Sequence, residues 1–237
     1  MKAIEVENVS KIFPDKTKAL EDVSFAIEEG EFVVIAGSNG SGKSVLMSLI
    51  AKLDSPSSGT IKTSTQTGLV FQDADAQILG ETCSEDVAFG IRNCGYKKEI
   101  MNQKTNAALE ATGLLYKKDS AARTMSGGEK RRLAVSGILA MGRNIFIFDE
   151  PFANLDWPGI KKTCAILKQL KEQKKTVVVL THELEKILAL ADRFIVLDKG
   201  KVRYNGTAQE GLKLDLEQWS IKNPLVCGMK LENLLWL

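Results

Sequence analysis

Apolar and polar positions follow two different repeats along this chain, and the shorter repeat indicates β-strands. Residues 2–9 alternate between apolar and polar side chains, as in a strand buried on one face. Three other segments are continuously apolar, as expected for parallel strands that are buried on both faces. The strands predicted in this way cover residues 2–9, 22–28, 31–36, 68–72, 145–149, 176–181, 193–198 and 201–205. The last two are predicted to form a hairpin that turns at Lys199-Gly200.

The longer repeat, of three to four residues, indicates helices. Leu46, Leu49, Ile50 and Leu53 fall on one face of a helix that begins near Lys43. Further helices are predicted at 84–93, 99–112, 127–141, about 158–173 and 183–190. Because strands and helices alternate, we expect an α/β protein with a parallel sheet between helices. The helical stretch at about 82–141 interrupts this order and is predicted to be an insertion.

Composition excludes several classes of function. The net charge of +2 over 237 residues does not favour a protein that coats nucleic acid, so no nucleic-acid partner is expected. The single histidine, His182, excludes zinc sites that need two. The cysteines form no Cys-x-x-Cys pair and are predicted to be reduced core residues; they are Cys83, Cys94, Cys164 and Cys227. No apolar run is long enough to cross a bilayer, and none resembles a signal peptide, so we expect an intracellular protein that meets a membrane only through a partner.

A glycine-rich segment between a predicted strand and a predicted helix has the pattern Gly-x4-Gly-Lys-Ser, which indicates a phosphate-binding loop. Its glycines let backbone N–H groups surround phosphate oxygens, and the start of the helix adds partial positive charge. Lys43 can reach the β- and γ-phosphates, and the Ser44 hydroxyl can bind Mg²⁺. The loop residues predicted to bind nucleotide are Gly37, Ser38, Asn39, Gly40, Ser41, Gly42, Lys43 and Ser44.

Two acidic residues follow the buried strand 145–149, at the edge of the sheet where open α/β folds bind their ligands. Asp149 is placed to hold Mg²⁺, directly or through water. Glu150, one residue further on, is placed to polarise an attacking water. The sequence therefore predicts a site that binds phosphate groups and Mg²⁺ and that activates an attacking water.

The segment Met125-Ser126-Gly127-Gly128-Glu129 resembles the Leu-Ser-Gly-Gly-Gln/Glu signature of ATP-binding cassette (ABC) ATPases, with Met in place of the usual Leu. Other motifs of that family are present in order. Gln72 resembles the Q-loop glutamine, residues 153–156 (Ala-Asn-Leu-Asp) resemble the D-loop, and His182 resembles the switch histidine. The resemblance covers about residues 2–207.

The resemblance implies a P-loop NTPase fold of the ABC ATPase type. This fold has a mainly parallel core sheet, an N-terminal antiparallel β subdomain and the inserted helical subdomain. We expect an ABC ATPase domain at 1–211 and a short apolar C-terminal tail at 212–237, which we expect to pack on the cassette and to contribute to dimerisation. The resemblance also implies a head-to-tail pair of cassettes, in which the signature contacts the γ-phosphate bound to the other subunit. Ser126 at the start of a helix could equally serve as its N-cap.

Roles for individual residues also follow from the resemblance. The catalytic residues would be Glu150, His182 and Gln72. The Mg²⁺ ligands would be Ser44, Gln72 and Asp149. The nucleotide contacts outside the loop would be Phe13, Ser126, Gly127, Gly128, Glu129 and Asp156. Phe13, which would stack on adenine, could instead pack under the first sheet, and Lys130-Arg131-Arg132 is predicted to form a solvated face.

Two further segments, Phe71–Ile78 and Ser84–Gly90, resemble the ATPases of energy-coupling factor importers, except that Ala74 and Ala76 replace Pro and Asn. The resemblance implies an ATP-hydrolysing subunit that powers uptake of a metal ion or vitamin at the cytoplasmic face of the cell membrane. Its partners would be a second ABC ATPase subunit and a transmembrane coupling subunit, the latter near residues 77–95. The alternative is a soluble ABC ATPase of iron–sulfur assembly, translation or repair. The repair type needs a coiled coil for which the chain between Ser44 and Ser126 is too short, and the translation type usually has two cassettes in one chain.

Overall fold

A computed structural model describes residues 1–92 and 96–227, with backbone alone at 226–227. The described strands form a three-stranded sheet, with order β2-β1-β4, and a six-stranded sheet, with order β5-β6-β7-β3-β8-β9. Their bounds are β1 Lys2–Ile12, β2 Lys18–Glu28, β3 Phe32–Ala36, β4 Ser58–Thr63, β5 Thr67–Val70, β6 Ile145–Asp149, β7 Thr176–Thr181, β8 Arg193–Asp198 and β9 Lys201–Gly206.

The described helices lie on the faces of the larger sheet or in an insertion between β5 and β6. They are α1 Lys43–Ile50, α2 Cys83–Arg92, α3 Lys98–Ala111, α4 Gly127–Ala140, α5 Trp157–Glu172 and α6 Ala208–Gly211. Single turns of 3-10 helix occur at Ala74–Gln77, Leu115–Lys117, Ala122–Thr124, Leu184–Lys186, Leu188–Leu190, Glu217–Trp219 and Pro224–Cys227. No described helix has the length and apolar character needed to span a bilayer.

The larger sheet has the α/β architecture that the alternation of strands and helices predicts. Strands β5, β6, β7, β3 and β8 are parallel, and β9 pairs antiparallel with β8 at the edge. Every residue of β3, β6 and β7 is buried. Alternate residues point into two apolar clusters: Val34 and Phe148 lie on the face with α4 and α5, whereas Ile35 and Ile147 lie on the face with α1. The continuous apolar runs in the sequence thus reflect burial on both faces.

The smaller sheet is antiparallel and packs on the α1 face of the larger one. The chain passes from the smaller to the larger sheet at Gly30, whose φ of 77° falls in the region that favours glycine. Strands 22–28 and 31–36, predicted to be joined at Glu29-Gly30, therefore belong to different sheets. The sequence pattern does not predict strand β4, since residues 55–59 indicate only the start of a new turn. The side chains of β4 are exposed or half-buried and show no apolar alternation.

The inserted helices have a core of their own. Side chains of α2, α3 and one side of α4 form a third apolar cluster, with Val87, Leu109 and Leu133 fully buried at its centre. The predicted helices at 84–93, 99–112 and 127–141 match α2, α3 and α4 to within a residue at each described end. Residues 93–95 lie outside the described residues, so the predicted end of the first helix at residue 93 lies there as well.

The single helix predicted at 183–190 is wrong. The structure has two separate 3-10 turns, which meet at Ile187 with φ −144° and ψ −17°. Leu184, Leu188 and Leu190 are all buried in the same cluster. A continuous α-helix would turn Leu190 away from the other two, because successive residues are about 100° apart. Burial of all three therefore favours the broken form.

The segment that follows α6 returns to the sheet. Leu212, Leu216 and Ile221 are buried in the cluster on the α5 face, and Trp219 and Leu225 pack against it. Leu214 of the predicted apolar tail is 38% exposed, and the side chain of Val226 is not described. Other apolar tail residues lie outside the described residues: Leu231, Leu234, Leu235, Trp236 and Leu237. Cys83 and Cys164 are buried, as predicted, whereas Cys94 and the side chain of Cys227 are not described.

Candidate functional site

The predicted phosphate loop connects β3 to α1, the context that its sequence motif requires. Two of its glycines have no room for a side chain. A Cβ on Gly37 would lie 2.4 Å from the Leu197 carbonyl oxygen, and a Cβ on Gly42 would lie 2.6 Å from the Ala19 carbonyl oxygen. Gly42 also has φ 103°. The loop therefore packs tightly against β8 of the larger sheet and β2 of the smaller one, and α1 starts at its far end.

Lys43 lies at the centre of this loop. Its ammonium donates to the carbonyl oxygens of Gly37 at 2.6 Å and Ser38 at 3.1 Å, and lies 3.7 Å from Glu150 Oε1. Burial lowers the pKa of Lys43, whereas the nearby Glu150 and Asp149 carboxylates act in the opposite direction. A buried cation beside the start of a helix is a favourable place for a phosphate group.

Asp149 has an oxygen that lacks a partner. Its Oδ1 is buried and accepts no hydrogen bond from the described residues. Burial raises the pKa of Asp149, and a hydrogen bond from the Ser44 side chain opposes that rise. A carboxylate and a hydroxyl are hard oxygen donors that suit Mg²⁺, which usually keeps several waters and takes further oxygens from substrate phosphates. The described residues contain no cluster of three acidic, His or Cys side chains that could hold a metal ion.

Glu150 is fixed by its neighbours from the next strand. Its Oε2 accepts a hydrogen bond from Thr181 Oγ1 at 3.0 Å, and its Oε1 lies 2.9 Å from His182 Nδ1. Strands β6 and β7 pair in parallel with Asp149 opposite Leu180, which brings the two strand ends together. Glu150 also has φ 44°, a conformation that costs a non-glycine residue of order 1 kcal/mol. An oriented carboxylate at this position can accept a proton from a bound water.

Lys43, Ser44 and Glu150 share one cleft of about 330 Å³ with Gln72, which follows β5. Asp149 and His182 are not among the residues that line it. The cleft also includes Thr17, at the end of the loop between β1 and β2, and Lys18 and Ala19, the first residues of β2. The predicted site residues that it brings together are Ser38, Asn39, Gly40, Gly42, Lys43, Ser44, Gln72 and Glu150. Phe13 does not line this cleft; it is half-buried nearby, with the Lys11 ammonium 5.5 Å from the centre of its ring.

The signature residues lie in a second cleft, of about 280 Å³, which shares no residue with the first. Ser126 caps α4, with its Oγ accepting from Glu129 N at 3.4 Å while Glu129 Oε2 accepts from Ser126 N at 3.0 Å. Asp156 caps α5 by accepting from Gly159 N at 2.9 Å. Glu129 also pairs with Lys117 at 2.6 Å, and this bond lowers the pKa of Glu129 to about 2. Thus Ser126, Glu129 and Asp156 all hold helix ends within this chain.

The prediction of a solvated face at 130–132 is wrong for the two arginines. Arg131 is 4% exposed and Arg132 is 6% exposed. Helix α4 packs against α2 and α3 on one side and against the core sheet on the other, so it is buried on more than one side. The Arg131 side chain binds the carbonyl oxygen of Pro151. The signal in the sequence is that apolar residues occur all round this helix, a pattern typical of buried helices.

The segments that resemble energy-coupling factor ATPases have clear structural roles. Gln77 closes the loop after β5, because its Oε1 accepts from Phe71 N and its Nε2 donates to Leu69 O, both at 2.8 Å. Asp86 Oδ1 accepts from Leu79 N at 2.7 Å and Gly80 N at 2.9 Å, which fixes the entry to α2. Gln77 and Asp86 therefore fix the backbone between Gln72 and the inserted helices.

Comparison with known proteins identifies the family. Residues 20–153 match the ABC transporter family. The chain belongs to this family. It is an ABC ATPase subunit of a transporter, it binds and hydrolyses ATP, and its α/β architecture is the P-loop fold of ABC ATPase cassettes.

Several relatives are named energy-coupling factor transporter ATP-binding proteins. EcfA of Carboxydothermus hydrogenoformans is 37% identical over 94% of this chain and 88% of that protein. EcfA2 of Methanospirillum hungatei is 34% identical over 97% of this chain, which spans 62% of that longer relative. Among solved structures, cbiO1 of Clostridium perfringens, part of the ABC transporter complex cbiONQ, superposes with a TM-score of 0.83 at 28% identity, covering 95% of this chain and 97% of that one. A dimeric bacterial ABC transporter cassette gives a TM-score of 0.78 at 28% identity, covering 86% of this chain and 98% of that one.

Proposed function

We propose that this cassette is the ATP-hydrolysing subunit of an energy-coupling factor importer for a metal ion or a vitamin. Support for the importer type comes from the names of the relatives and from the segments at 71–78 and 84–90. The observation that carries the hydrolytic role is the environment of Glu150. Its carboxylate is held by Thr181 and His182, beside the Lys43 ammonium and one residue from the unpaired oxygen of Asp149.

In this proposal the phosphate loop from Gly37 to Ser44 binds the nucleotide phosphates through backbone N–H groups and Lys43. Ser44, Asp149 and Gln72 hold Mg²⁺, which neutralises phosphate charge when bound. Glu150 takes a proton from the attacking water, and His182 orients Glu150 and senses the γ-phosphate. Phe13 provides a face for the adenine ring.

The two separate clefts support a head-to-tail pair of cassettes. One chain offers the phosphate loop in the first cleft and the signature in the second, so two chains can complete two sites. Ser126, Gly127, Gly128 and Asp156 then face the nucleotide of the other chain, with Glu129 holding the signature in place. This arrangement requires the Ser126 cap to be shared or exchanged when the pair closes.

The membrane role is proposed to depend on a transmembrane coupling subunit that binds near residues 77–95, of which 93–95 lie outside the described residues. The cassette would then work at the cytoplasmic face of the membrane. The apolar tail at 212–237, following the cassette at 1–211, is proposed to support dimerisation. No nucleic acid takes part. No observation favours the alternative of an ABC ATPase that acts outside transport.

The variant Glu150→Gln tests the hydrolytic role. It keeps the shape of the side chain but removes the base, so we expect the rate of ATP hydrolysis to fall by about 10²-fold to 10⁴-fold. We also expect ATP to remain bound and to stabilise a dimer, measured by nucleotide retention and size-exclusion chromatography. Glu172→Gln, an exposed residue at the end of α5, is the matched control. Hydrolysis by Glu150→Gln at the wild-type rate would show that the assignment of the base is wrong.

A further inference from the structure

Arg131 joins three separate segments of the chain. Its Nη1 donates to Pro151 O at 2.8 Å and to Ala153 O at 3.1 Å, and its Nη2 donates to Gln72 O at 2.7 Å. The side chain belongs to α4, five residues after Ser126 at the helix start, and is almost fully buried. One guanidinium thus links the signature helix to the two loops that leave β5 and β6.

The two loops carry the groups that the proposed reaction uses. Gln72 is itself a proposed Mg²⁺ ligand, and Pro151 directly follows Glu150. Ala153 opens the short segment that ends at Asp156. The two loops face each other across a cleft of about 380 Å³ that Arg131 also lines. The position of the guanidinium therefore affects the distance between them.

The chemistry of arginine fits this role better than that of lysine. A planar guanidinium presents several N–H donors in fixed directions, whereas an ammonium is a compact charge on a flexible stem. Nη1 binds the segment after Glu150 and Nη2 binds the Gln72 loop, so the two terminal nitrogens serve different loops. Burial lowers the pKa of Arg131, while the Asp73 carboxylate opposes that change. Arginine remains charged in proteins, so the hydrogen bonds are charge-assisted.

A second contact supports the link between α4 and the Gln72 loop. The ammonium of Lys130, the preceding residue, pairs with the Asp75 carboxylate in the 3-10 turn at 74–77. The Lys130 side chain is mostly buried, whereas that of Asp75 is largely exposed. Lys130 and Arg131 thus both bind the Gln72 loop, and Arg131 also binds the segment after Glu150.

We propose that Arg131 is a positioning residue for ATP hydrolysis, which couples the signature helix to the Gln72 loop and to the segment 150–156. Arg131 binds backbone carbonyl oxygens of both loops and acts through the groups that those loops carry. This inference rests on the proposed function. It predicts that loss of the guanidinium lowers the rate of hydrolysis while the phosphate loop, which Arg131 does not contact, still binds nucleotide.

The test compares Arg131→Met and Arg131→Lys with the wild-type full chain. For Arg131→Met we expect kcat to fall about 10-fold to 100-fold, as for the loss of charge-assisted hydrogen bonds that support a site, with the Kd for ATP changed less than about threefold. Arg131→Lys should recover part of kcat, because an ammonium can reach one or two of the carbonyl oxygens. Arg193→Met is the matched control: Arg193 binds Ala26 O and Glu31 far from both loops, so its loss should lower Tm and leave kcat unchanged.

A double-mutant cycle with Gln72→Ala tests the coupling. If Arg131 acts through the Gln72 loop, Arg131→Met should lower kcat by a much smaller factor in the Gln72→Ala background than in the wild type. Additive losses would overturn the inference, as would wild-type kcat in Arg131→Met or equal losses of kcat and nucleotide affinity. If Arg131→Met does not fold, Arg131→Lys is judged by the same criteria. An inactive Glu150→Gln together with a fully active Arg131→Met would refute this inference and leave the proposed function standing.

Discussion

The link between Glu129 and Lys117 gives a quantitative prediction for the variant Glu129→Gln. The Glu129 carboxylate accepts from Lys117 at 2.6 Å and from the backbone of Ser126 at 3.0 Å. Its pKa falls from 4.5 to about 2, chiefly through the hydrogen bond to Lys117. An amide keeps the shape of the side chain and can still accept from Ser126 N, but it loses the charge. We therefore expect lower stability with the signature helix still capped.

The magnitude follows from the lowered pKa of Glu129. A group with pKa 4.5 in the unfolded chain and about 2 in the folded chain stabilises the protein by about 3 kcal/mol at pH 7. The Lys117 side chain is 32% exposed, so solvent screening reduces this to roughly 1–2 kcal/mol. Because the folded pKa is the lower one, the stabilisation is fully present above pH 4.5 and is lost as the pH falls towards 2. Roughly two fifths should be lost between pH 7 and pH 3.5.

Urea unfolding of the wild type and of Glu129→Gln at both pH values measures this difference. The variant should be less stable by roughly 1–2 kcal/mol at pH 7 and by a smaller amount at pH 3.5. The double variant with Lys117→Met isolates the interaction between Glu129 and Lys117, since Glu129→Gln should lower the free energy of unfolding less once Lys117 is absent. A stability difference that stays the same at both pH values would refute the reasoning. So would a variant whose main defect is weaker nucleotide binding at unchanged stability.

Two further predictions concern packing and are measured by urea unfolding at pH 7. Gly68→Ala in β5 should destabilise the protein by about 1–3 kcal/mol, because the new Cβ would lie 2.1 Å from Ile138 Cγ2 on helix α4. Gly137→Ala, next to Ile138 on α4, meets no atom within 4 Å and should stabilise the protein by about 0.5–1 kcal/mol. Leu216→Ala should cost about 2–5 kcal/mol because Leu216 is 1% exposed, whereas Leu214→Ala, at 38% exposure, should cost less than about 1 kcal/mol. Equal effects within either pair would contradict the packing that the structure shows.

The core of the fold could be predicted from sequence because burial on both faces leaves continuous apolar runs such as 145–149 and 176–181. Strand β4 could not, because its side chains are exposed or half-buried and its partner is a distant strand, β1. The segment 183–190 has the apolar content of a helix. Its break at Ile187 depends on a cluster formed by residues far away in the chain. Local patterns carry no information about such distant partners.

The phosphate loop and the acids that follow β6 could be predicted because each lies next to a strong local pattern. The contact between Glu150 and His182 could not be derived from spacing alone, since it depends on which strands are neighbours in the sheet. Arg131 was missed for a related reason. A basic triplet on a helix is usually solvated, and only the packing of α4 between two apolar clusters shows that this position is buried.

The position of β7 between β6 and β3 has a consequence for hydrogen exchange. Its backbone groups pair on both sides, and all its side chains are buried. Amides at 177–180 should therefore exchange with solvent only when the whole domain unfolds. The His182 side chain, 52% exposed, is attached one residue beyond this slowly exchanging strand. Its ring can then change position mainly by rotation about its own side-chain bonds, on a backbone that stays fixed over many turnovers.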